Sequence, residues 1–197
     1  MALDTPSPDP IARFHETYAR ARAADADWYN AMSFSTVGDD GRPSARMVLL
    51  KGADRDGFVT YTNLRSRKGR EALAHPFAAL VFHWTALQEQ VRVEGRVERV
   101  SEAEADAYFA TRPRGSQIGA WASHQSEVLD HRSTLLKRVA DYEREFHGRD
   151  VPRPPHWSGL RIVPDRIEFW HGQPSRLHDR TLYTLGPDGW RVQVLNP

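Results

Sequence analysis

The sequence predicts an α+β fold, a mostly antiparallel, barrel-like β-sheet with helices set between and beside its strands. Three observations predict it. Val91, Val93 and Val97 alternate with Arg92, Glu94, Arg96 and Glu98, the period of a strand with one buried face and one wet face. Short strand-like runs succeed one another through turn clusters such as Gly38-Asp39-Asp40-Gly41 and Asp54 to Gly57, as in a meander. No βαβ unit with a Gly-rich phosphate turn is present, which argues against a doubly wound parallel sheet and its dinucleotide site.

The elements follow in order. Met1 to Pro10 is Pro-rich and acidic and is expected to be flexible; residues 11–197 are expected to form one domain, since 197 residues suffice for a single sizeable core. Asp9 and Pro10 cap and start a helix in which Ile11, Phe14 and Tyr18 share a face, ending before Trp28. Strands are expected at Ala31 to Val37, Ala45 to Lys51 and Phe58 to Thr62. Ser66 to Ala74 is a short helix and Ala78 to Phe82 a buried strand. Ser101 with Glu104 forms a capping-box pair, so a helix starts there and stops at Arg112 before Pro113, with Tyr108 and Arg112 on one face. A longer helix from about Glu127 to Phe146 is expected to bury Val128, Leu135, Leu136, Val139, Tyr142 and Phe146. Pro152, Pro154 and Pro155 stiffen a connector to closing strands at Gly159 to Val163, Ile167 to His171, Leu177 to Thr184 and Trp190 to Val194.

Composition narrows the function. Lys and Arg number 27 against 26 Asp and Glu, so no global field draws the chain to nucleic acid or an anionic membrane, and any anion must meet a local cluster. Cysteine is absent, which excludes disulfides and thiolate metal sites and fits a cytoplasmic location. No run approaches the ~18 apolar residues of a membrane span, and the start lacks a basic segment leading into an apolar one. Nine histidines show no metal-ligand spacing, and Ser123-His124 lacks the nucleophile elbow of a hydrolase; neither a metal nor a serine nucleophile is expected.

Three segments can carry chemistry. Arg65-Ser66-Arg67-Lys68-Gly69-Arg70 opens a helix, where backbone N–H groups and cations converge on a phosphate or simply form a solvated basic turn. Tyr108, Arg112 and Ser116, with Arg114 nearby, combine a planar guanidinium fork with neutral hydroxyl donors, which suits a phosphate ester or belongs to an exposed loop. Arg176, His178 and Arg180 are expected on one strand face, a concentration of positive charge that calls for an anion or an electron-rich ring, unless Glu168 and Asp179 pair with it at a sheet edge.

Ile167-Glu168-Phe169-Trp170-His171 followed by Arg176-Leu177-His178-Asp179-Arg180 resembles the signature of the pyridoxamine 5′-phosphate oxidase family. The resemblance extends through Arg46 to Lys51, Phe58 to Asn63, Ser66-Arg67-Lys68, Arg112-Pro113-Arg114 and Ser116 to Ser123, covering roughly Asp9 to the carboxyl terminus. It implies a homodimeric FMN-binding split β-barrel, with each flavin held by residues of both subunits. The implied FMN contacts are Arg46, Met47, Val48, Leu49, Leu50, Lys51, Tyr61, Thr62, Arg67, Lys68, Gln90, Gln125, Ser126, Trp170 and Arg180. Lys51, Tyr108, Arg112 and Ser116 are implied around the substrate phosphate. Arg176, Leu177 and His178 are implied at the pyridine ring, with Arg176 and His178 the catalytic pair.

The implied reaction is oxidation of pyridoxamine or pyridoxine 5′-phosphate to pyridoxal 5′-phosphate, with O2 as final acceptor and hydrogen peroxide as product. A related FMN oxidase of another aromatic, such as a phenazine precursor, and a non-catalytic FMN or pyridoxal phosphate binding protein are the alternatives. Three features depart from the family pattern. Its longer amino-terminal arm carries an Arg and a Tyr that Met1 to Pro10 lacks; Glu89 stands where Arg is common; and the tail Val194 to Pro197 differs after the closing Trp and Arg. The first bears on lid closure, and the others bear on affinity.

Overall fold

The computed structural model describes residues 7–197. Among these residues nine strands form one antiparallel sheet: β1 (Ala31–Val37), β2 (Pro43–Leu49), β3 (Gly52–Asp54), β4 (Gly57–Asn63), β5 (Phe77–Trp84), β6 (Glu89–Arg99), β7 (Trp157–His171), β8 (Asp179–Gly186) and β9 (Gly189–Val194). The main path runs β2-β1-β5-β6-β7-β4-β3, and β8, with β9 beyond it, pairs with the second half of β7. The two outer strands of that path, β2 and β3, are joined in the chain only by Leu50 and Lys51. Two residues reach at most about 7 Å, so the sheet must curl until its edges meet. Among the described residues β2 and β3 share no ladder, which leaves the barrel split along that seam.

A bulge permits the curl. The β6–β7 register shifts between Glu94 and Gly95, and a Cβ at Gly95 would lie 2.0 Å from the Val163 carbonyl oxygen, so no larger residue fits. Inside, Phe34, Phe58, Leu80, Phe82, Val91, Val93, Leu160, Ile162 and Ile167 are buried. Helix α1 (Pro10–Ala24), capped by the Asp9 side chain, plugs this core with Phe14, whose ring meets Phe58 at 4.8 Å and Phe82 at 5.1 Å. Each such side chain contributes roughly 1.5–3 kcal/mol through burial. A second core of Phe109, Ile118, Phe146, Val151 and Trp157 lies under α3 (Glu102–Ala110), α4 (Arg114–Ala122) and α5 (Arg132–Glu145). No helix among the described residues is long and apolar enough to cross a membrane.

The α+β split barrel agrees with the expected fold class, while several elements differ from expectation. β2 ends at Leu49 because the Leu50 and Lys51 N–H groups turn to the Asn30 and Val59 carbonyls as the chain crosses the seam. Pro113 ends one helix and begins another, α4, which was not expected. The helix expected from Glu127 starts only at Arg132, leaving Val128 96% exposed outside it, and Leu136 faces outward; Tyr142, Val139 and Phe146 alone of that stripe join the second core. The two strands expected around Pro164 are one continuous β7. Of the segment 1–10, residues 1–6 lie outside the described residues; the Ser7 carbonyl accepts a hydrogen bond from the Tyr183 hydroxyl at 2.8 Å.

Candidate active site

A cavity of about 470 Å³ opens at the split, between the end of β2, the strand β4 and the α3–α4 corner. Met47, Val48, Leu49 and Lys51 form one wall, and Thr60 to Asn63 form its floor. Lys68 enters from α2 (Arg67–Ala74), whose first turn is capped by the Ser66 hydroxyl. Gly69 lets α2 press against the end of β4, since a Cβ there would stand 2.6 Å from the Leu64 carbonyl oxygen. Tyr108, Arg112 and Ser116 close the far side. They lie on three separate pieces of backbone, the last turn of α3, the link after it and the first turn of α4, so the single helix face expected for Tyr108 and Arg112 is replaced by a corner.

Carboxylate pairing divides the half-buried cations. Arg153 is neutralised by Asp106 (2.6 Å) and Glu102, and Arg161 by Asp54 (2.8 Å) and Glu104 (3.1 Å), whereas Arg13, outside the cavity, lies over the Phe169 ring at 4.3 Å and donates to the Tyr183 hydroxyl at 3.2 Å. Among the described residues no carboxylate lies within ion-pair distance of Lys68 or Arg112. Burial, with repulsion from Arg46, pushes the Lys68 ammonium below its ordinary range. Burial likewise pushes Arg112 down, with Tyr108 opposing. Arg112 Nη1 is buried without a hydrogen-bond partner, and its guanidinium rests on Trp157 at 4.6 Å and Phe109 at 5.4 Å. Tyr108 stacks on Tyr61 at 3.9 Å, and Tyr61 on Trp157 at 5.3 Å, so an aromatic stack stiffens this wall. Burial, then Glu104 and Tyr108, pushes the Tyr61 phenol up to about 12, leaving it a neutral donor. Two desolvated, unpaired cations among hydroxyl donors suit anionic ester groups.

The basic turn behind Lys68 is organised differently. Arg46 and Arg67 both bind the buried Glu71 carboxylate, at 3.3 and 2.7 Å. Leu50, expected at the flavin, sends its side chain into the main core, which leaves only its backbone for that role. Gln125 reaches the cavity and accepts from the Thr62 hydroxyl at 3.3 Å; Ser126 follows with φ +73°. Sequence reasoning missed Glu71, Asn63, Ser123 and Trp157. Asn63 and Ser123 stand at the ends of segments that carry the resemblance, and Glu71 has i, i+4 spacing from Arg67; Trp157 carried no signal.

The remaining expected residues gather elsewhere. Gln90, Trp170, Arg176, Leu177, His178 and Arg180 do not line this cavity. Arg176 and His178 do not share a strand face with Arg180, because β8 begins only at Asp179. Pro174 to Arg176 form a tight turn in which Ser175 and Arg176 hold φ of +60° and +63°. Two successive left-handed non-glycine residues cost energy, so the surrounding structure must impose this exposed turn. His178 Nδ1 accepts the Gln173 N–H at 3.1 Å, which puts the proton of a neutral imidazole on Nε2, and its ring lies 4.7 Å from Trp170. Arg180 is paired with Glu168 at 2.9 Å, and that hydrogen bond raises its pKa. The described residues contain no cluster suited to a metal ion.

A family model described as pyridoxamine 5′-phosphate oxidase matches residues 28–146, and one described as pyridoxine 5′-phosphate oxidase C-terminal dimerisation region matches 157–197. A pyridoxine/pyridoxamine 5′-phosphate oxidase of Myxococcus xanthus (strain DK1622) is 65% identical over 190 residues, 96% of this chain and 92% of that one. A protein of the same description from Rubrobacter xylanophilus is 55% identical over 197 residues, 100% of this chain and 91% of the other. Among solved structures, PhzG from Burkholderia lata 383, in complex with tetrahydrophenazine-1-carboxylic acid, aligns with a TM-score of 0.92 and 30% identity, over 98% of this chain and 95% of that one. A pyridoxamine 5′-phosphate oxidase-related, FMN binding protein from Nostoc punctiforme shares the fold, with a TM-score of 0.74 and 18% identity over 93% and 97% of the two chains.

Proposed function

Because the chain belongs to the pyridoxamine 5′-phosphate oxidase family, with FMN as its cofactor, we propose that it oxidises pyridoxamine 5′-phosphate, pyridoxine 5′-phosphate or both. O2 accepts the electrons, and pyridoxal 5′-phosphate and hydrogen peroxide leave; the amine substrate also consumes water and releases ammonia. The observation that carries this reading is the pair of half-buried cations without carboxylate partners, Lys68 and Arg112, at two places in one cavity. Two phosphate esters need seats, one on the cofactor and one on the substrate.

In this reading Arg46, Arg67 and Lys68 hold the FMN phosphate, while Met47 to Lys51, Tyr61, Thr62, Gln125 and Ser126 border the rest of the cofactor. Lys51, Tyr108, Arg112 and Ser116 take the substrate phosphate. Bound FMN supplies a two-electron acceptor that no side chain can replace. The protein contributes position: charge-assisted bonds to the phosphate, each about 1.5–3 kcal/mol, fix the pyridine ring so that its C4′ is presented in one orientation. His178, with Nδ1 occupied by the Gln173 N–H, offers Nε2–H to the ring substituents, and Arg176 covers the ring face.

A homodimer completes the site. Of the implied contacts that do not line the cavity, Trp170, Arg176, Leu177, His178 and Arg180 fall inside the segment matched as a dimerisation region, whereas Arg46, Leu50, Arg67 and Ser126 adjoin lining residues in the chain and Gln90 lies on β6. Met47, Leu49, Val37 and Phe77 leave an exposed apolar face on β2, β1 and β5 that a second copy would cover. Residues 11–197 then act as one FMN-binding unit, in the cytoplasm.

An anaerobic visible spectrum of the FMN-loaded protein tests the proposal. Bleaching on addition of pyridoxamine 5′-phosphate, reversed by air with formation of pyridoxal 5′-phosphate, is expected. The likeness to PhzG favours a second reading, oxidation of an unphosphorylated tricyclic acid. Bleaching by such an acid and not by the phosphate ester would select it. A flavin that stays oxidised with both would indicate a binding protein.

A further inference from the structure

Glu71 lies outside the cavity and none of the chemistry above uses it, yet it is the most heavily hydrogen-bonded carboxylate near the site. Its side chain is 9% exposed. Oε2 accepts from the Thr36 hydroxyl (2.5 Å), the Ser44 hydroxyl (2.5 Å) and Arg46 Nη2 (3.3 Å), and Oε1 accepts from Arg67 Nε (2.7 Å). Arg46 is held in turn by the Phe34 carbonyl (3.0 Å), the Thr36 hydroxyl (2.6 Å) and the Ser44 hydroxyl. One carboxylate therefore ties α2 to β1 and β2 and fixes two guanidinium groups at once. Burial alone would favour the neutral acid. The donors from Ser44, Thr36 and Arg67 overcome it and hold the pKa at about 2, so Glu71 is ionised.

Arg46, Arg67 and Lys68 set against Glu71 leave an excess of two positive charges, and a phosphate monoester carries about −1.5 to −2. Without the carboxylate, three cations would crowd one corner, and Arg67, which reaches into solvent, would have nothing to hold its fork in place.

We propose that Glu71 is the positioning residue of the flavin-phosphate clamp: without touching the phosphate, it orients Arg46 and Arg67 and selects FMN over riboflavin. The inference rests on the reading that Arg46, Arg67 and Lys68 hold the FMN phosphate, and its test separates the two.

The full chain, stripped of flavin, is titrated with FMN and with riboflavin, following flavin fluorescence, for wild type, Lys68→Ala, Glu71→Ala and the isosteric Glu71→Gln. Glu71→Ala should weaken FMN about tenfold or more while riboflavin stays within about twofold; Glu71→Gln should lose several-fold, again for FMN alone. A purely structural role would weaken both flavins together, and that result, or no change in either, overturns the proposal. Should Glu71→Ala fail to fold, Glu71→Gln decides alone by the same criterion. If Lys68→Ala abolishes part of the FMN preference and neither Glu71 variant does, only the role of Glu71 falls. If Lys68→Ala also leaves the preference intact, the phosphate sits elsewhere and both readings fall.

Discussion

Replacing Arg112 by Met separates binding from stability. Met keeps an apolar stem against Trp157 and Phe109 and removes the guanidinium fork. On the substrate side, one strong charge-assisted contact to phosphate in a desolvated corner is worth about 3 kcal/mol, which predicts a loss of roughly 150-fold in kcat/KM, carried mainly by KM. On the stability side two terms oppose each other. The buried, unpartnered Nη1 costs the free protein about 1–3 kcal/mol, and the cation–π contacts return about 0.5–2 kcal/mol. The central values of the two terms differ by about 1 kcal/mol, which corresponds to about 2–4 °C in Tm for a chain of this size. Peroxide release with pyridoxine 5′-phosphate, flavin absorbance per protomer and calorimetry are the three measurements. Expected are a collapsed kcat/KM, unchanged flavin content and a Tm within about 4 °C of wild type. An unaltered kcat/KM, or loss of flavin with normal substrate affinity, would refute the assignment of Arg112 to the substrate phosphate.

The two other predictions concern assembly and pH. If Arg112 and Arg176 of one site come from different subunits, mixing refolded Arg112→Ala and Arg176→Ala chains regenerates one intact site per heterodimer, about a quarter of wild-type activity under random pairing; activity that stays at the level of the parent variants would place both residues in one chain's site. For Glu71, a folded pKa near 2 against an ordinary 4.5 means that the unfolded chain binds the extra proton between those values. Stability from this group is therefore complete above about pH 4.5 and drains away as pH falls toward 2, by about 3 kcal/mol. Denaturant melts of wild type and Glu71→Gln between pH 5 and 2.5 should converge as the acid is added, and parallel curves would contradict the depressed pKa.

Local signals were legible and long-range ones were not. Ser101 was readable as a cap because the capping bond spans three residues, and its hydroxyl accepts that bond from the Glu104 N–H; Ser66, expected as the first residue of its helix, caps α2 in the same way through the Gly69 N–H. Pro113 was read only as a terminator, although the same ring, with φ of −54°, suits the start of α4; Gly115 and Gly119 hid that helix by lowering its propensity. Strands were expected on either side of Pro164, ending at Val163 and resuming at Ile167. Pro164 sits instead opposite the Gly95 bulge, where the ladder asks for no N–H. Alternation was carried one turn too far at Arg176, since Pro174 and the left-handed Ser175 break the strand before it begins.

The candidate site shows the same division in its charges. A sequence places Arg112, Arg153 and Arg161 on an equal footing, because the carboxylates that neutralise the last two come from Asp106 and Asp54, 47 and 107 positions away. Only the folded chain reveals which cation has been left without one. That distinction carries the functional argument, since a paired, half-buried arginine is explained by its partner, whereas an unpaired one stores a desolvation cost that an arriving anion relieves. Arg180 belongs with the paired arginines. Glu168, twelve residues earlier on the neighbouring strand β7, already satisfies its Nε, and any flavin contact it makes must use the rest of the guanidinium, whose Nη1 donates to the Asn196 carbonyl at 3.0 Å.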